Sequence, residues 1–321
     1  MEKESVKKQN AFLKKWGNFN EGGVLLALIA LCLVVGCINP VFFSLQNIIR
    51  VLRQISSIGI IAVGGAFVII TGGIDLSVGS FMAFGAVGIA KLVSLGVEPI
   101  LALLIILIGA GICGLVSGFI TVKMSLNPFI VTLAMMNIIS GVTYLFSNGI
   151  PISFDTYLNF FGRDVGGIPV AIFVMLIIMI VGHIVLSKTE YGRKVFAVGG
   201  NEKAAKLSGI NVHRIKCSVY AMTAALAALA GVITCANLNS GDVSTGSGYE
   251  LDVIAACVIG GCSLDGGKGS ILGVFIGTAI LGVINNGFVL LRIPASWQSI
   301  TIGIVIILAC ILDQMNRKKR E

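Results

Sequence analysis

Long apolar runs separated by short polar segments dominate this chain. Ten such runs can be read, and most have about the 17 to 25 residues with which an α-helix crosses a hydrocarbon core of ~30 Å. They lie at residues 23–39, 54–71, 76–93, 97–121, 128–147, 168–187, 216–238, 250–264, 270–291 and 297–312. The eighth run is short and broken by glycine, so eight to ten spans fit the pattern. We therefore predict an all-α, polytopic helical membrane protein with about ten transmembrane helices.

Two polar, glycine-rich stretches interrupt the apolar pattern, GGIDLSVGS at 72–80 and GGCSLDGGKGS at 260–270. We interpret both as broken helices, because irregular backbone at membrane depth is tolerated only where protein buries it or where it lines a watery path. Both stretches begin with Gly-Gly, contain a polar residue followed by Leu, and close with Gly-Ser. This echo indicates two related halves, as in many transporters, although glycine-rich membrane segments can also resemble each other by chance.

The Gly-Lys pair in the second stretch invites comparison with a phosphate-binding P-loop. A P-loop requires a glycine separated by four residues from Gly267-Lys268, and a Ser or Thr directly after the lysine. Cys262 and Gly269 occupy those two positions. The pattern therefore excludes a P-loop here and favours a repeated helix break.

The composition agrees with a membrane protein. Hydrophobic residues make up 56% of the 321 residues and charged residues 12%, whereas ordinary globular chains have about 25% charged residues. The mean hydropathy is +0.99. We expect one transmembrane domain over residues 23–312, flanked by short tails at 1–22 and 313–321.

Positive charge is concentrated in three segments, which predicts the orientation. Residues 1–22 hold five Lys against three Glu, residues 188–216 hold seven Lys or Arg against two Glu, and residues 313–321 hold four basic residues against two acidic ones. The positive-inside rule places all three segments, and hence both termini, in the cytoplasm. An even number of spans, such as ten, satisfies all of them.

Nucleic-acid binding, a cleaved signal peptide and a cysteine framework are each less consistent with the sequence. The basic segments lack interleaved aromatic residues and adjoin apolar runs, so we expect no nucleic acid as a partner. The first apolar run follows a lysine-rich leader without a small-residue cleavage site and is predicted to be an uncleaved anchor. The eight cysteines contain no CxxC pair, so neither a metal site nor a disulfide framework is expected.

Polar residues in or beside the apolar runs are the candidates for a solute path. Ionisable residues inside a membrane are rare and usually functional, but Asp75 could instead cap the following helix with help from Ser77. Amide side chains suit a neutral polar solute because they offer donors and acceptors without charge, although each could also bond across helices. The candidates at the breaks and in the path are Gly72, Gly73, Asp75, Ser77, Asn127, Asn137, Gly260, Gly261, Asp265, Asn285 and Asn286.

The polar segment 191–210, within the predicted cytoplasmic loop 188–215, has the signals of a short capped helix. Asn201 suits the N-cap position, Glu202 suits the first turn, and Gly209 suits the C′ position. Ala204 and Ala205 favour helix between them. We predict a two-turn helix that docks a cytoplasmic partner, with a simple connector between spans as the alternative.

Several ordered motifs of this chain resemble the ribose-type permeases of bacterial ABC importers, which take ribose, xylose, arabinose, galactosides and similar sugars. The matching stretches are GGIDLSVGS at 72–80, YGR at 191–193, GGNEKAAKLSGIN at 199–211, GYELD at 248–252, GGCSLDGGKG at 260–269 and INNG at 284–287. They extend over most of the chain. The resemblance implies a permease in the bacterial inner membrane that has no ATP site or cofactor of its own.

The same resemblance implies the partners and the residues of the coupling loop. It implies a dimer of permeases, two ATPase domains on the cytoplasmic side, and a sugar-binding protein outside. The implied coupling residues are Tyr191, Gly192, Arg193, Asn201, Glu202, Ala204, Ala205 and Gly209. Lys203 separates Glu202 from the alanine pair, which departs from a strict EAA pattern and leaves the role of Glu202 open.

Two other function classes can be compared with this interpretation. An ion-coupled secondary transporter usually needs carboxylates or histidines near the midplane, and the spans offer at most Asp75 and His183, with Asp252 and Asp265 near their ends. An intramembrane hydrolase needs a nucleophile beside a base, yet no Gly-x-Ser-x-Gly elbow lies near either histidine. We therefore expect a non-enzymatic permease.

Overall fold

The computed structural model describes residues 21–318 of the chain, without the side chains of Ala295, Ile306, Ala309, Cys310 and residues 312–318. The predicted tails at 1–22 and 313–321 therefore lie partly outside the described residues. In the part of the C-terminal tail that the structure describes, the last helix continues through residue 318.

The described residues form twelve α-helices and four very short strands. The helices are α1 (Gly22–Ile38), α2 (Leu45–Ile70), α3 (Val78–Ser94), α4 (Pro99–Lys123), α5 (Pro128–Ser147), α6 (Val170–Lys188), α7 (Glu190–Gly200), α8 (Glu202–Leu207), α9 (Val212–Leu238), α10 (Tyr249–Ile259), α11 (Ile271–Leu290) and α12 (Ala295–Lys318). The strands are β1 (Ile152–Ser153), β2 (Asp164–Val165), β3 (Ile168–Pro169) and β4 (Ser240–Gly241). β1 pairs with β4 and β2 pairs with β3, both antiparallel.

Each of the ten predicted apolar runs corresponds to a helix. Six of the described helices, α2, α4, α5, α6, α9 and α11, are long and apolar enough to cross a membrane. Helices α1 and α3 are apolar but have 17 residues each. Helix α10 has only 11 residues, which at ~1.5 Å per residue span about half of a ~30 Å hydrocarbon core. The mostly helical membrane fold is thus confirmed, while the number of crossings stays a prediction.

The second helix starts earlier than its apolar run. The run was predicted from residue 54, but α2 begins at Leu45 because the hydroxyl of Ser44 accepts a hydrogen bond from the Asn47 amide. Arg53, which the pattern assigned to a loop, therefore lies on this helix and forms an ion pair with Asp164. A capping serine extends the helix beyond its apolar part.

Helix α9 packs against α2, α3 and α4 at the centre of the bundle. Small residues permit this packing, as is usual between membrane helices. A Cβ on Gly114 of α4 would lie 2.5 Å from the Tyr220 carbonyl oxygen and 2.7 Å from the Ala224 Cβ. In a strongly apolar 18-residue stretch of α2, 89% is buried inside the subunit, whereas in the corresponding stretches of α4 and α5 only 28% is buried. The latter two helices therefore form the perimeter, where lipid or another subunit must cover them.

The path of the chain and the charge pattern together predict which ends face each compartment. Ser153 and Lys203 are both exposed, and the single long helix α6 separates β1 from α8. A cysteine at Ser153 should react with an impermeant thiol reagent applied from outside. A cysteine at Lys203 should react only after permeabilisation. The variants are made without the native cysteines, and labelling in the reverse order would contradict this orientation.

Candidate functional site

The first predicted helix break is present at residues 71–77. Helix α2 ends at Ile70, Gly72 adopts a left-handed φ of +75°, and α3 begins at Val78. The intervening residues are mostly buried, and Asp75 is only 6% exposed. A non-helical segment is therefore held inside the protein, as the membrane environment requires.

Asp75 stabilises the turn that leads into α3. Its Oδ1 accepts a hydrogen bond from the Ser77 amide at 2.9 Å and another from the Ser77 hydroxyl. Ser77 directly precedes α3, and its own side chain makes no capping bond. The predicted pairing of these residues is thus present, but the carboxylate holds the turn before the helix instead of capping the amides of the first helical turn.

Two other helices bind the first break through the carbonyl of Ile74. This oxygen lies 3.3 Å from the Thr132 hydroxyl of α5, whose shorter hydrogen bond goes to the Pro128 carbonyl at 2.9 Å, and it accepts a long hydrogen bond from the Tyr220 hydroxyl of α9 at 3.5 Å. A Cβ on Gly73 would lie 2.5 Å from the Tyr220 hydroxyl oxygen. Close packing therefore fixes the break between α5 and α9.

The second predicted break is present over residues 260–270, between the end of α10 and the start of α11. Four of its glycines have positive φ, at Gly261, Gly266, Gly267 and Gly269. The Ser263 amide donates to the Lys268 carbonyl at 3.1 Å and closes the loop. Residues that have a Cβ rarely adopt such φ values, so the glycines determine the path of this segment.

The two breaks and the end of α7 meet at one point, which we call the glycine junction and define as Ile70, Gly72, Gly199, Gly266 and Gly267. The Gly267 amide donates to the Ile70 carbonyl at 2.8 Å. A Cβ on Gly199 would overlap that same carbonyl oxygen, and one on Gly266 would lie 2.8 Å from the Gly199 carbonyl oxygen. Three segments that are distant in sequence are thus in backbone contact.

The candidate coupling segment has the predicted caps. The Asn201 side chain accepts a hydrogen bond from the Ala204 amide at 2.9 Å, and α8 follows it. Gly209 has a φ of +81°, and the Ile210 amide donates to the Ala205 carbonyl. These bonds close the C-terminal end of α8 as in a Schellman motif.

The eight predicted coupling residues divide into two groups by the direction they face. Tyr191, Gly192 and Ala205 face the bundle, whereas Arg193, Asn201, Glu202, Ala204 and Gly209 are exposed. The Tyr191 hydroxyl bonds the Ser218 hydroxyl at 2.7 Å. Ala205 is 4% exposed and packs into the core. The first group therefore seats the segment, and the second group lies at its surface.

Leu207 is the residue of this segment that sequence reasoning missed. It is 91% exposed at the end of α8, although a leucine within the helix could as well have faced the core. Glu202, whose role was open, binds Lys216 of α9 at 2.6 Å and so ties α8 to the bundle. Nearby, the hydrogen bond from Lys194 lowers the pKa of the Glu190 carboxyl.

The four candidate asparagines lie in two regions, with Asn127 and Asn137 at α5 and the adjacent Asn285 and Asn286 on α11. Asn127 accepts from the Phe129 amide and caps α5. Asn137 is exposed on α5, where its amide donates to the Leu133 carbonyl. Asn286 is buried and exchanges hydrogen bonds of 2.9 Å with Asn47. Asn285 is buried, and its Oδ1 has no partner among the described residues. These residues do not form one cluster, and two of them have a clear structural role.

Comparison with known proteins gives a consistent result. A family profile described as "Branched-chain amino acid transport system / permease component" matches residues 47–310. The chain is 42% identical to the ribose import permease protein of Bacillus subtilis (strain 168) over 91% of this chain and 92% of that protein. It is 41% identical to the ribose import permease protein of Escherichia coli (strain K12) over 99% and 100%. An L-arabinose ABC transporter permease protein of Azospirillum brasilense is 35% identical over 95% and 91%. No solved structure matches the chain significantly.

The contact between Gly73 and Tyr220 predicts a compensating pair of substitutions. Gly73→Ala should lower the stability of the purified protein by about 1–3 kcal/mol, because the added methyl group overpacks a closed site. Tyr220→Phe removes the obstructing oxygen and should restore part of that loss in the double variant. Thermal unfolding in detergent measures both effects.

A matched control for this pair is available on α5. A Cβ on Gly141 would have no neighbour within 4 Å, so Gly141→Ala should leave the unfolding temperature of the isolated subunit nearly unchanged. If Gly73→Ala were equally harmless, the first break would not be closely packed.

Proposed function

The chain belongs to the family of permease components described above, and on that premise we propose that it is the membrane subunit of an ABC importer for a small neutral sugar, such as ribose. Its role is to pass the sugar from an external binding protein to the cytoplasm by alternating access. The relatives that are 41–42% identical over nearly their full length are ribose import permeases. This similarity is the observation that supports the sugar assignment best.

We propose that α8 is the element on which an ATPase subunit docks. The helix is short, capped at both ends and mostly exposed, and it lies between α7 and the long apolar helix α9. Leu207 exposes an apolar side chain at the end of this helix, and Lys203 and Lys206 are exposed on the same helix. An apolar residue surrounded by polar ones is the usual arrangement of an interface hot spot. ATP hydrolysis then takes place on the separate subunit.

The sugar passage is proposed to run along the exposed face of α5. Asn137 is the tenth of the 20 residues of this helix, so it lies near mid-membrane, and Ser140, Gly141 and Tyr144 are exposed on the same face. The Asn137 amide bonds only the Leu133 carbonyl of its own helix, so in lipid the rest of this amide would lack partners, which is costly in hydrocarbon. The Ser140 hydroxyl bonds that of Ser80 at 2.8 Å, which places the face beside the first break.

A second copy of the chain is proposed to complete this passage. The small and polar face of α5 suits contact with another subunit better than contact with lipid. A homodimer would place two such faces opposite each other with an aqueous passage between them, and lipid would cover the remaining perimeter. Asp75, Ser77, Asn285 and Asp265 then lie in or near elements that move, but the sugar contacts are expected mainly from α5.

We propose that a binding protein releases sugar into a polar cleft at the end of the subunit that is predicted to face outward. The cleft has a volume of about 540 Å³, within the usual range for small-molecule sites. It lies between the end of α9 and the segment that follows α5, and its polar lining residues are Ser153, Asp155, Asn159, Arg163, Asn237 and Asn239. Hydroxyl, carboxylate, amide and guanidinium groups can all bond sugar hydroxyls.

We further propose the finer features of the topology. Ten crossings, with both termini in the cytoplasm of a bacterial inner-membrane protein, satisfy the three basic segments. The meeting of the two breaks at the glycine junction is consistent with two related halves. Residues 23–312 then form one permease domain with its coupling loop at 188–215.

Ion coupling is the alternative that the site supports less well. Asp75 accepts two hydrogen bonds from Ser77 through one oxygen and serves the local turn. His183 lies on α6, where the structure gives it no acidic or basic partner among the described residues. Neither group forms the chain of carboxylates or histidines that proton relays use.

Reconstitution tests the proposed function directly. The chain is placed in liposomes with its ATPase and its sugar-binding protein, and uptake is measured for ribose, arabinose, allose and leucine. The proposal is supported if sugar uptake requires ATP on the ATPase side of the membrane. The uptake should also persist when ionophores collapse the ion gradients. Uptake that follows an ion gradient without ATP contradicts it, and transport of leucine alone would contradict the sugar assignment.

The exposure of Leu207 predicts a loss of docking. Leu207→Ala should weaken binding of the ATPase by about tenfold, because an apolar hot-spot residue typically contributes more than ~1 kcal/mol. Co-purification and stimulated ATP hydrolysis should both fall while the subunit remains folded. Lys206→Ala on the same helix is the control and should have little effect; equal behaviour of the two variants would contradict the docking role.

The bonding of Asp75 predicts that its charge is not required. Asp75→Asn keeps an oxygen that can accept from Ser77, so it should cost on the order of 1 kcal/mol of local stability and leave most of the sugar uptake. Complete loss of uptake with normal assembly and ATP hydrolysis would show that the carboxylate carries a proton or cation.

A further inference from the structure

We propose that the glycine junction transmits movement of the docking helix to both helix breaks at once. This inference rests on the proposed function, since it requires an ATPase that acts on α8. It goes further in assigning the transmission to one backbone contact. The positioning residues are Gly199 on α7 and Gly266 and Gly267 in the second break, and the partner carbonyl belongs to Ile70 at the start of the first break.

The junction is made of main-chain atoms from three segments. The Ile70 carbonyl accepts from the Gly267 amide at 2.8 Å, and a Cβ on Gly199 would lie 2.7 Å from that same amide nitrogen. A Cβ on Gly266 would lie 2.9 Å from the Gly72 amide nitrogen. Any side chain larger than hydrogen at Gly199 would therefore separate α7 from both breaks.

Contacts between main-chain atoms transmit a displacement directly, because no side chain can rotate to absorb it. A longer side chain could absorb a small shift by changing its rotamer, whereas a backbone atom in van der Waals contact cannot. The left-handed φ values of Gly266 and Gly267 place them at positions that only glycine occupies at low cost.

The docking helix is joined to the junction over a very short distance. The Asn201 amide donates to the Ala197 carbonyl and ends α7, while the Asn201 side chain accepts from Ala204 and starts α8. Only Gly200 and Asn201 separate Gly199 from α8. A force on α8 therefore reaches Gly199 across a corner of two residues, which the hydrogen bonds of Asn201 hold.

The rest of α7 packs against the bundle, and this buried face is the axis about which we expect α7 to turn. Val195 and Val198 are 0% and 2% exposed, and the Tyr191 ring lies 6.2 Å from that of Phe67 on α2. These contacts seat α7 against the same helix whose end forms the first break. Movement of α8 thus turns α7 about its buried face and displaces both breaks together, which links the two halves of the subunit.

Adjacent glycines on α7 supply a matched test. Gly199→Ala inserts a methyl group into the junction, whereas a Cβ on Gly200 would have no neighbour within 4 Å. In liposomes with ATPase and binding protein, Gly199→Ala should keep basal ATP hydrolysis and lower the sugar transported per ATP by about tenfold or more, the usual range of coupling between sites. Gly200→Ala should behave as the unaltered protein.

The outcomes distinguish this inference from the proposed function. If the unaltered protein shows no ATP-driven sugar uptake, the proposed function fails. If it transports sugar and both variants do so with equal coupling, the junction has no transmitting role and the inference is wrong. Equal losses of uptake and of ATP hydrolysis in Gly199→Ala would indicate a structural role alone and would also overturn it.

A second variant keeps the test decisive if Gly199→Ala fails to fold. Gly200→Cys and Lys268→Cys, in protein without its native cysteines, are joined after assembly by a short thiol cross-linker across α7 and the second break. Because the junction moves as one unit, the cross-linked protein should retain its uptake. Loss of uptake that a cleavable cross-linker reverses would show that the two segments must separate, and would overturn the inference.

Discussion

The carbonyl oxygen of Ile70 is the point on which the architecture of this subunit converges. It is the last helical residue of α2, and at a helix end such an oxygen lacks its helical partner. The second break supplies the missing donor through the Gly267 amide, and α7 can approach the same atom only because Gly199 has no side chain. One carbonyl at a helix end thus brings together the two helix breaks and α7, the helix that leads into α8.

The membrane explains why these contacts are made by backbone and by small residues. Within lipid the hydrophobic effect does not drive helices together. Van der Waals packing between closely spaced helices and hydrogen bonds between polar groups must therefore hold the bundle together. The buried polar groups near the breaks follow this rule. Asp75 accepts hydrogen bonds from Ser77, and the Ile74 carbonyl lies within hydrogen-bond distance of hydroxyl groups from α5 and α9. The exposed polar face of α5 is less fully bonded, since Asn137 bonds only the Leu133 carbonyl of its own helix, which is why we propose this face for the passage and for contact with a second subunit.

Much of this could be predicted from the sequence, because the relevant signals are local. Apolar runs indicated the helices, the glycine-rich stretches at 72–80 and 260–270 indicated the breaks, and Asn201 with Gly209 indicated the capped helix α8. The early start of α2 was missed because a single capping residue, Ser44, extended a helix beyond its apolar part. The meeting of Gly199 with Ile70 and Gly267 could not be predicted, since contact between distant segments leaves no periodic trace. For the same reason the sequence could not tell that Leu207 faces outward while Ala205 faces the core, or that Asn286 is paired with Asn47.

Structures of the assembled transporter in two states would show whether the glycine junction moves as one unit. Electron cryo-microscopy of the complex with its ATPase, once without nucleotide and once with ATP bound, measures how the three segments move. We expect the Gly267 amide to stay within hydrogen-bond distance of the Ile70 carbonyl in both states, while the junction shifts as a unit relative to the perimeter helix α5. Separation of Gly199 and Gly267 from Ile70 between the two states, or movement of α8 with no displacement of either break, would contradict this mechanism.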